Sequence, residues 1–126
     1  MKKLIQGIVS FRQNLRPSYK ERFAKLAQGQ NPDALFIACS DSRVVPNLFA
    51  STDPGNLFVI RNVGNIIPPC NATGLSIADE SELAAIEYAI DVLKVKDIII
   101  CGHSDCGAIN AILNGCPTDA MPHLQS

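Results

Sequence analysis

The stretch ALFIACSDSR, residues 34–43, joins an apolar run directly to a polar and chemically reactive one. Two further apolar runs follow along the chain. Short runs rich in aliphatic and β-branched residues are typical of strands buried on both faces. We therefore predict three such strands, at Ala34–Ala38, Leu57–Ile60 and Asp97–Cys101.

Helical patterns separate and follow these strands. A short helical piece is predicted around Pro46–Ala50, and a longer helix from about Ser81 to Leu93. The core-facing stripe of the longer helix is predicted to consist of Leu83, Ile86, Ile90 and Leu93. A last helix from about Gly107 to Leu113 is stopped by Gly115 with Pro117. The order β-α-β-α-β predicts an α/β fold, a parallel sheet with right-handed crossovers and flanking helices.

Two helices are predicted ahead of the first strand. Apolar residues recur at helical spacing from Leu4 to Leu15, and Pro17 interrupts them. Ser18 with Glu21 is a capping-box pattern that opens a second helix, which Gly29 can end in a left-handed conformation. We expect one domain over residues 1–126, with a helical arm at 1–33 and an α/β core at 34–126.

The composition is that of an ordinary globular protein, 47% hydrophobic and 18% charged, with a net charge of −1. This balance gives no attraction to nucleic acid or to a membrane surface. The start Met1-Lys2-Lys3 is not followed by a signal-peptide or transmembrane pattern, so a cytoplasmic protein is predicted. Five cysteines at irregular spacing then favour metal binding or catalysis over disulfides.

Two reactive clusters follow the first and third predicted strands, and the carboxyl ends of parallel strands meet at one sheet edge. They supply Cys39 from the first cluster and His103 with Cys106 from the second. Two thiolates and one imidazole suit tetrahedral Zn²⁺ and leave a fourth position for water, as in catalytic zinc sites. We predict these three residues as zinc ligands.

Other cysteines and histidines compete for this assignment. Taken alone, the pair His103-x-x-Cys106 is weak evidence for metal binding, because a free cysteine is commonly a small buried apolar residue. Cys101 is near enough to be a ligand, but its place at the end of an apolar strand favours a core role. Cys70 and Cys116 are interpreted as ordinary thiols, and His123 as a surface or packing residue.

Asp41 and Arg43 are two residues apart, so both side chains can leave the same side of an extended stretch. A structural salt bridge is the commoner role of such a pair. Beside a metal ligand, however, the guanidinium can orient the carboxylate and keep it ionised. Asp41 would then be a fixed acceptor next to metal-bound water.

Four segments in order resemble the β-class carbonic anhydrases: Cys39-Ser40-Asp41-Ser42-Arg43-Val44, Arg61-Asn62-Val63-Gly64-Asn65, Glu87-Tyr88-Ala89 and Cys101-Gly102-His103-Ser104-Asp105-Cys106-Gly107. The resemblance implies a zinc lyase that reversibly hydrates carbon dioxide to bicarbonate, with one Zn²⁺ per subunit. Cys39, His103 and Cys106 would be the ligands, and Asp41 with Arg43 the catalytic dyad. The nucleophile would be zinc-bound hydroxide, oriented by Asp41.

The resemblance also implies a substrate pocket and a partner subunit. The implied pocket residues are Gln30, Phe58, Val63, Tyr88 and Gly107. Gln30, Phe58 and Tyr88 would act across the interface of a homodimer or dimer-based oligomer, on which the amino-terminal helices pack. Because members of this family continue beyond this point, the chain is expected to lack the carboxyl-terminal part of the family fold.

Phe36 stands where some family members have a tryptophan that belongs to an inhibitory bicarbonate pocket. A non-inhibited enzyme is therefore expected, with Asp41 as a possible fourth ligand at low pH. Two alternatives remain: hydrolysis of carbon disulfide or carbonyl sulfide, and a non-catalytic, zinc-stabilised assembly subunit.

Overall fold

The computed structural model describes residues 1–75 and 80–115, and the chain divides into two compact units, Met1–Gln30 and Asn31–Ser126. The first unit contains helices α1 (Lys2–Asn14) and α2 (Pro17–Leu26), as predicted. The rings of Phe11 and Phe23 pack edge to face, with centroids 6.1 Å apart. Several apolar side chains of α1 remain exposed: Leu4, Ile5, Ile8, Val9 and Phe11.

The predicted capping of α2 is wrong at both ends. The helix begins at Pro17, without a side-chain cap, because proline has a suitable φ and lacks the N–H that a cap would satisfy. Glu21 instead pairs with Lys25 one turn later, at 3.0 Å. The helix ends at Leu26, and Gly29 follows with φ of 153°, not in the left-handed helical conformation.

The second unit is built on a parallel sheet, as predicted. Strands β1 (Ala34–Cys39), β2 (Leu57–Asn62) and β3 (Asp97–Cys101) lie in the order β2-β1-β3. Ala34 is in register with Leu57 on one side and with Asp97 on the other. The carboxyl ends of all three strands therefore share one edge.

Burial on both faces holds for β1 but is wrong for the outer strands. All six residues of β1 are buried, whereas β2 is largely half-buried. In β3, Ile98, Ile99 and Ile100 are 48%, 40% and 58% exposed. The reason is position: β1 has a strand on each side, whereas β3 pairs only with β1 within the described residues.

The predicted helices of this unit are present: α3 (Pro46–Phe49), α4 (Ser81–Glu87) and α5 (Gly107–Asn114), together with a 3₁₀ turn at Val63–Asn65. Gly115 ends α5 with φ of 83°. Pro117, Cys116 and His123 lie outside the described residues. Of the helices in the described ranges, none has the length and apolar character needed to cross a membrane.

Helix α4 continues into a π-helical turn, Tyr88–Val92, in which the Leu93 N–H donates to the Tyr88 carbonyl at 3.0 Å. A π turn rotates the residues after it relative to an α-helix. Ala89 is fully buried as a result, and Leu93 is buried too, whereas Ile90 is exposed. The predicted stripe is therefore wrong at Ile90.

Alternate residues of β1 supply two apolar clusters, because successive strand side chains point to opposite faces. Leu35 and Ile37 pack with Ala89 of the π turn. Phe36 and Ala38 belong to the other cluster, which Cys39 at the very end of the strand joins together with Val44, Cys106 and Ala108. Two cysteines at the sheet edge thus belong to the core, which restricts their movement.

Candidate metal and active site

The three predicted metal ligands meet at the carboxyl edge of the sheet. Cys39 is the last residue of β1, and His103 and Cys106 lie in the turn between β3 and α5. Their candidate ligand atoms all lie within 4.8 Å of one another. Cys39 and Cys106 are buried, and His103 is half-buried. Parallel strand order, not closeness in sequence, brings them together.

The spacing of the two sulfurs fits a tetrahedral ion. The Sγ atoms of Cys39 and Cys106 are 3.9 Å apart. Two sulfurs bound to tetrahedral Zn²⁺ at about 2.3 Å each would be separated by about 3.8 Å. A Cys₂His set is also a known catalytic zinc arrangement. The residues present therefore fit zinc.

The hydrogen bonding of His103 leaves one ring nitrogen for a ligand role. Nδ1 lies 2.9 Å from the Ser104 carbonyl oxygen, which can only accept, so the proton is assigned to Nδ1. Nε2 is buried and has no hydrogen-bond partner. A buried acceptor without a partner is costly, and a metal ion would satisfy it.

Backbone N–H groups surround the Cys39 sulfur. Burial raises the pKa of this thiol, but hydrogen bonds from the N–H groups of Asp41 and Gly64, each at 3.4 Å, help lower it to about 7. Hydrogen bonds to sulfur favour the thiolate. The site is thus arranged for the charged form that binds metal.

Asp41 and Arg43 form a two-pronged ion pair. The Arg43 Nε donates to Asp41 Oδ1 at 3.0 Å and Nη2 donates to Oδ2 at 2.8 Å, while the Arg43 backbone N–H also donates to Oδ1. These hydrogen bonds hold the pKa of the Asp41 carboxyl well below its usual range. The carboxylate stays ionised and can only accept hydrogen bonds.

Arg61 contacts the backbone of the site, and the sequence had given no indication of this role. Its Nε donates to the Cys39 carbonyl at 3.1 Å and its Nη2 to the Asp41 carbonyl at 2.8 Å. The only sequence signal was its place in the segment 61–65. The strand register explains the contact: Asn62 pairs with Cys39, so the side chain of Arg61 lies beside the end of β1.

Gly64 also contacts the site, through the Cys39 sulfur, and the sequence had not indicated this role. Besides donating to Cys39, it has φ of 84°, and a Cβ added there would lie 3.0 Å from the Ala108 Cβ. Only glycine combines this backbone conformation with this close approach. The sequence alone shows neither the positive φ nor the close approach of Ala108.

Cys101 lies outside the ligand cluster. It is half-buried against the apolar cluster of Cys39 and Cys106, and its Sγ lies 3.6 Å from the Gly102 carbonyl oxygen. The group of possible ligands in the described residues does not contain it. This placement agrees with a core role.

The residues that the resemblance implied for a substrate pocket lie on different segments of the chain. Phe58 and Tyr88 pack together with ring centroids 5.9 Å apart. Val63 is exposed, one residue before Gly64, and Gly107 is the exposed first residue of α5. Gln30 belongs to the other compact unit.

A cavity of about 350 Å³ opens beside His103. Its lining consists of Arg43, Val44, Phe49, Cys101, Gly102, His103 and Ser104. Polar groups of the site thus border a partly apolar space large enough for a small molecule.

Comparison with known proteins gives consistent matches. Residues 34–126 match the profile of the carbonic anhydrase family. A carbonic anhydrase of Synechococcus elongatus is 49% identical over 90% of this chain, which spans 40% of that relative. The structure of the β-carbonic anhydrase CcaA matches with a TM-score of 0.82 at 49% identity, over 90% of this chain and 53% of that one.

A structure from a study of two tetrameric β-carbonic anhydrases of Sordaria macrospora matches with a TM-score of 0.76 at 36% identity, covering 99% of this chain and 62% of that one. This chain therefore spans roughly half the length of the proteins it matches. The four-segment resemblance, the parallel sheet and these matches agree, and the chain belongs to the β-carbonic anhydrase family.

Proposed function

We propose that the protein containing this chain hydrates carbon dioxide reversibly to bicarbonate and a proton. The observation that carries the proposal is the joint placement of three convergent ligand atoms and a two-pronged Asp41-Arg43 pair at one sheet edge. Cys39, His103 and Cys106 would hold Zn²⁺. When bound, zinc supplies a nucleophile at neutral pH by lowering the pKa of water toward about 7.

The chain's own residues orient that nucleophile. Asp41, kept ionised by Arg43, would accept a hydrogen bond from the nucleophile and so orient it toward carbon dioxide. The same Arg43 Nη2 that donates to Asp41 also donates to the Asp105 carbonyl, at 3.1 Å. His103 keeps its proton on Nδ1, which leaves Nε2 for the ion.

The substrate pocket and the oligomer are parts of the same proposal. Phe58, Val63, Tyr88 and Gly107 line the substrate site together with Gln30. Gln30, Phe58 and Tyr88 act on the site of a partner subunit, in a dimer-based assembly. The amino-terminal arm, residues 1–33, packs on the α/β core, residues 34–126, of the partner subunit. The exposed apolar side chains of α1 support this arrangement.

A cytoplasmic location also belongs to the proposal. Cys39, Cys70, Cys101 and Cys106 are free thiols in the structure. A reducing compartment would keep the two ligand cysteines available for metal.

The three-ligand set with an oriented carboxylate favours an enzyme over a zinc-stabilised scaffold, in which four protein ligands usually close the site.

The test is zinc analysis combined with stopped-flow hydration of carbon dioxide. Asp41→Asn should retain zinc but lose about 100-fold in kcat, because it removes an oriented, charged acceptor. Asp97→Asn, at the opposite end of the sheet, is the matched control and should keep the wild-type rate. Full activity in Asp41→Asn would contradict the proposed mechanism, and carbon disulfide turnover without carbon dioxide turnover would contradict the substrate.

A further inference from the structure

Arg61 joins two backbone carbonyls on either side of Ser40. Its Nε donates to the carbonyl of Cys39 at 3.1 Å, and its Nη2 donates to that of Asp41 at 2.8 Å. One side chain of β2 thus contacts the backbone of both the first predicted metal ligand and the predicted hydrogen-bond acceptor. Both partners are neutral oxygens, so these contacts are not a salt bridge.

These two contacts occur where β1 ends. The Ser40 N–H donates to the Asn62 carbonyl at 2.8 Å, and beyond it the chain turns away from the sheet. Ser40 is exposed and lies in neither helix nor strand. Each of these two peptides makes one backbone hydrogen bond, because the Ser40 N–H belongs to the peptide after Cys39 and the Asp41 carbonyl accepts from the Val44 N–H at 2.9 Å. The guanidinium fork adds a side-chain contact that ties the two peptides to each other.

The orientation of these planes determines where two functional groups point. The Asp41 N–H, which donates to the Cys39 sulfur at 3.4 Å, belongs to the peptide after Ser40, and Arg61 contacts the peptides on either side of that one. The plane after Asp41 precedes Arg43, whose N–H donates to Asp41 Oδ1 at 2.9 Å. A rotation of either plane would move the thiolate relative to the carboxylate.

We propose that Arg61 is a positioning residue that holds Cys39 and Asp41 in a fixed mutual geometry without contacting metal or substrate. Its effect on metal binding stands alone, whereas its effect on turnover rests on the proposed function. Lysine cannot replace it fully, because a single ammonium on a flexible stem does not reproduce a planar fork of donors.

The first test is zinc affinity, measured by competition with a chromophoric chelator. Arg61→Met removes both donors at similar length and should weaken zinc binding about tenfold, as loss of an outer-shell contact commonly does. Arg61→Lys should lie between Arg61→Met and wild type. Lys96→Met removes one positive charge at the opposite end of the sheet and should bind zinc like wild type.

The second test observes the Arg43 side chain by NMR in the zinc-loaded chain. The Arg43 Nε–H donates to Asp41, so it should exchange slowly with water in wild type. In Arg61→Met its resonance should shift and exchange faster, and Arg61→Lys should show a smaller change. Because lysine keeps the charge and one possible bond, it preserves the test if the methionine variant unfolds.

Turnover adds a third measurement. Arg61→Met should lower kcat about tenfold with little change in KM, since the residue does not contact substrate. Wild-type zinc affinity and an unchanged Arg43 signal in a folded Arg61 variant would overturn the proposal. A zinc-loaded wild type that does not hydrate carbon dioxide would overturn the proposed function, and the affinity and NMR results would still decide the role of Arg61.

Discussion

Cys39 is the residue on which the contacts of the site converge. Its sulfur accepts from two backbone N–H groups and lies 3.9 Å from that of Cys106, while its carbonyl accepts from Arg61. The side chain is also part of the buried core. Packing, backbone donors and a charged side chain therefore act together on one thiol, so neighbouring substitutions should change the site even without touching a ligand.

Gly64 provides a test of the close approach behind Cys39. Gly64→Ala combines strain at φ of 84° with a Cβ contact of 3.0 Å, and should lower the free energy of unfolding by about 3 kcal/mol. Gly74→Ala has a similar φ of 83° but open space, and should cost only about 1 kcal/mol. Urea unfolding compares the two, and equal costs would show that the contact with Ala108 does not matter.

Cys106 and Cys101 allow a matched test of ligand identity. Cys106→Ala should reduce zinc affinity at least about 100-fold, because it removes one of three convergent ligand atoms. Cys101→Ala should leave both affinity and the one-to-one stoichiometry unchanged. Chelator competition measures both variants, and a comparable loss in Cys101→Ala would mean that the ligand set is wrong.

At the level of elements, strands of similar composition have different environments. β1 is central and fully buried, whereas β3 has one neighbour in the described part of the sheet and exposes its isoleucines. Apolar sequence alone therefore does not report how much surface a strand buries. The π turn after α4 likewise changes which helical residues are buried, because Ala89 lies in the core and Ile90 is exposed.

Ile37 and Ile100 are equivalent partners in the sheet register but differ in burial. Ile37→Ala should destabilise the chain by about 3 kcal/mol, since a fully buried side chain leaves a cavity. Ile100→Ala, at 58% exposure, should cost less than about 1 kcal/mol. Urea unfolding measures both free energies, and a larger cost at Ile100 would contradict the burial described for β3.

For the whole molecule, exposed apolar surface occurs in each compact unit. In the first it lies on α1, and in the second on β3 and on Ile112 and Leu113 of α5. The relatives in the comparisons carry roughly as much chain again. Additional chain and a partner subunit are the two ways to cover such surface.

A version extended to the length of these relatives should therefore unfold at higher urea concentration than the 126 residues alone, because the apolar side chains of β3 would gain contacts. It should also hydrate carbon dioxide faster at equal zinc content. Paired unfolding and stopped-flow measurements test this, with Asp41→Asn in the longer version as the inactive control. Equal stability of both versions would contradict it.

Local patterns were enough to predict the strands, most helices and the parallel sheet, because alternation of strands and helices leaves few topologies for a chain of this length. The same patterns predicted the convergence of Cys39 with His103 and Cys106, since residues directly after parallel strands share an edge. The family resemblance then supplied the proposed substrate, carbon dioxide.

Contacts between distant parts of the chain were not available from those patterns. The exposure of β3, the support of Cys39 by Arg61 and the approach of Gly64 to Ala108 each depend on which segments become neighbours. Residue type shows which bonds a side chain can form, whereas strand register decides which partner lies within 3 to 4 Å. The sequence therefore indicated the metal-binding chemistry, and the tertiary structure showed which residues contact the predicted ligands.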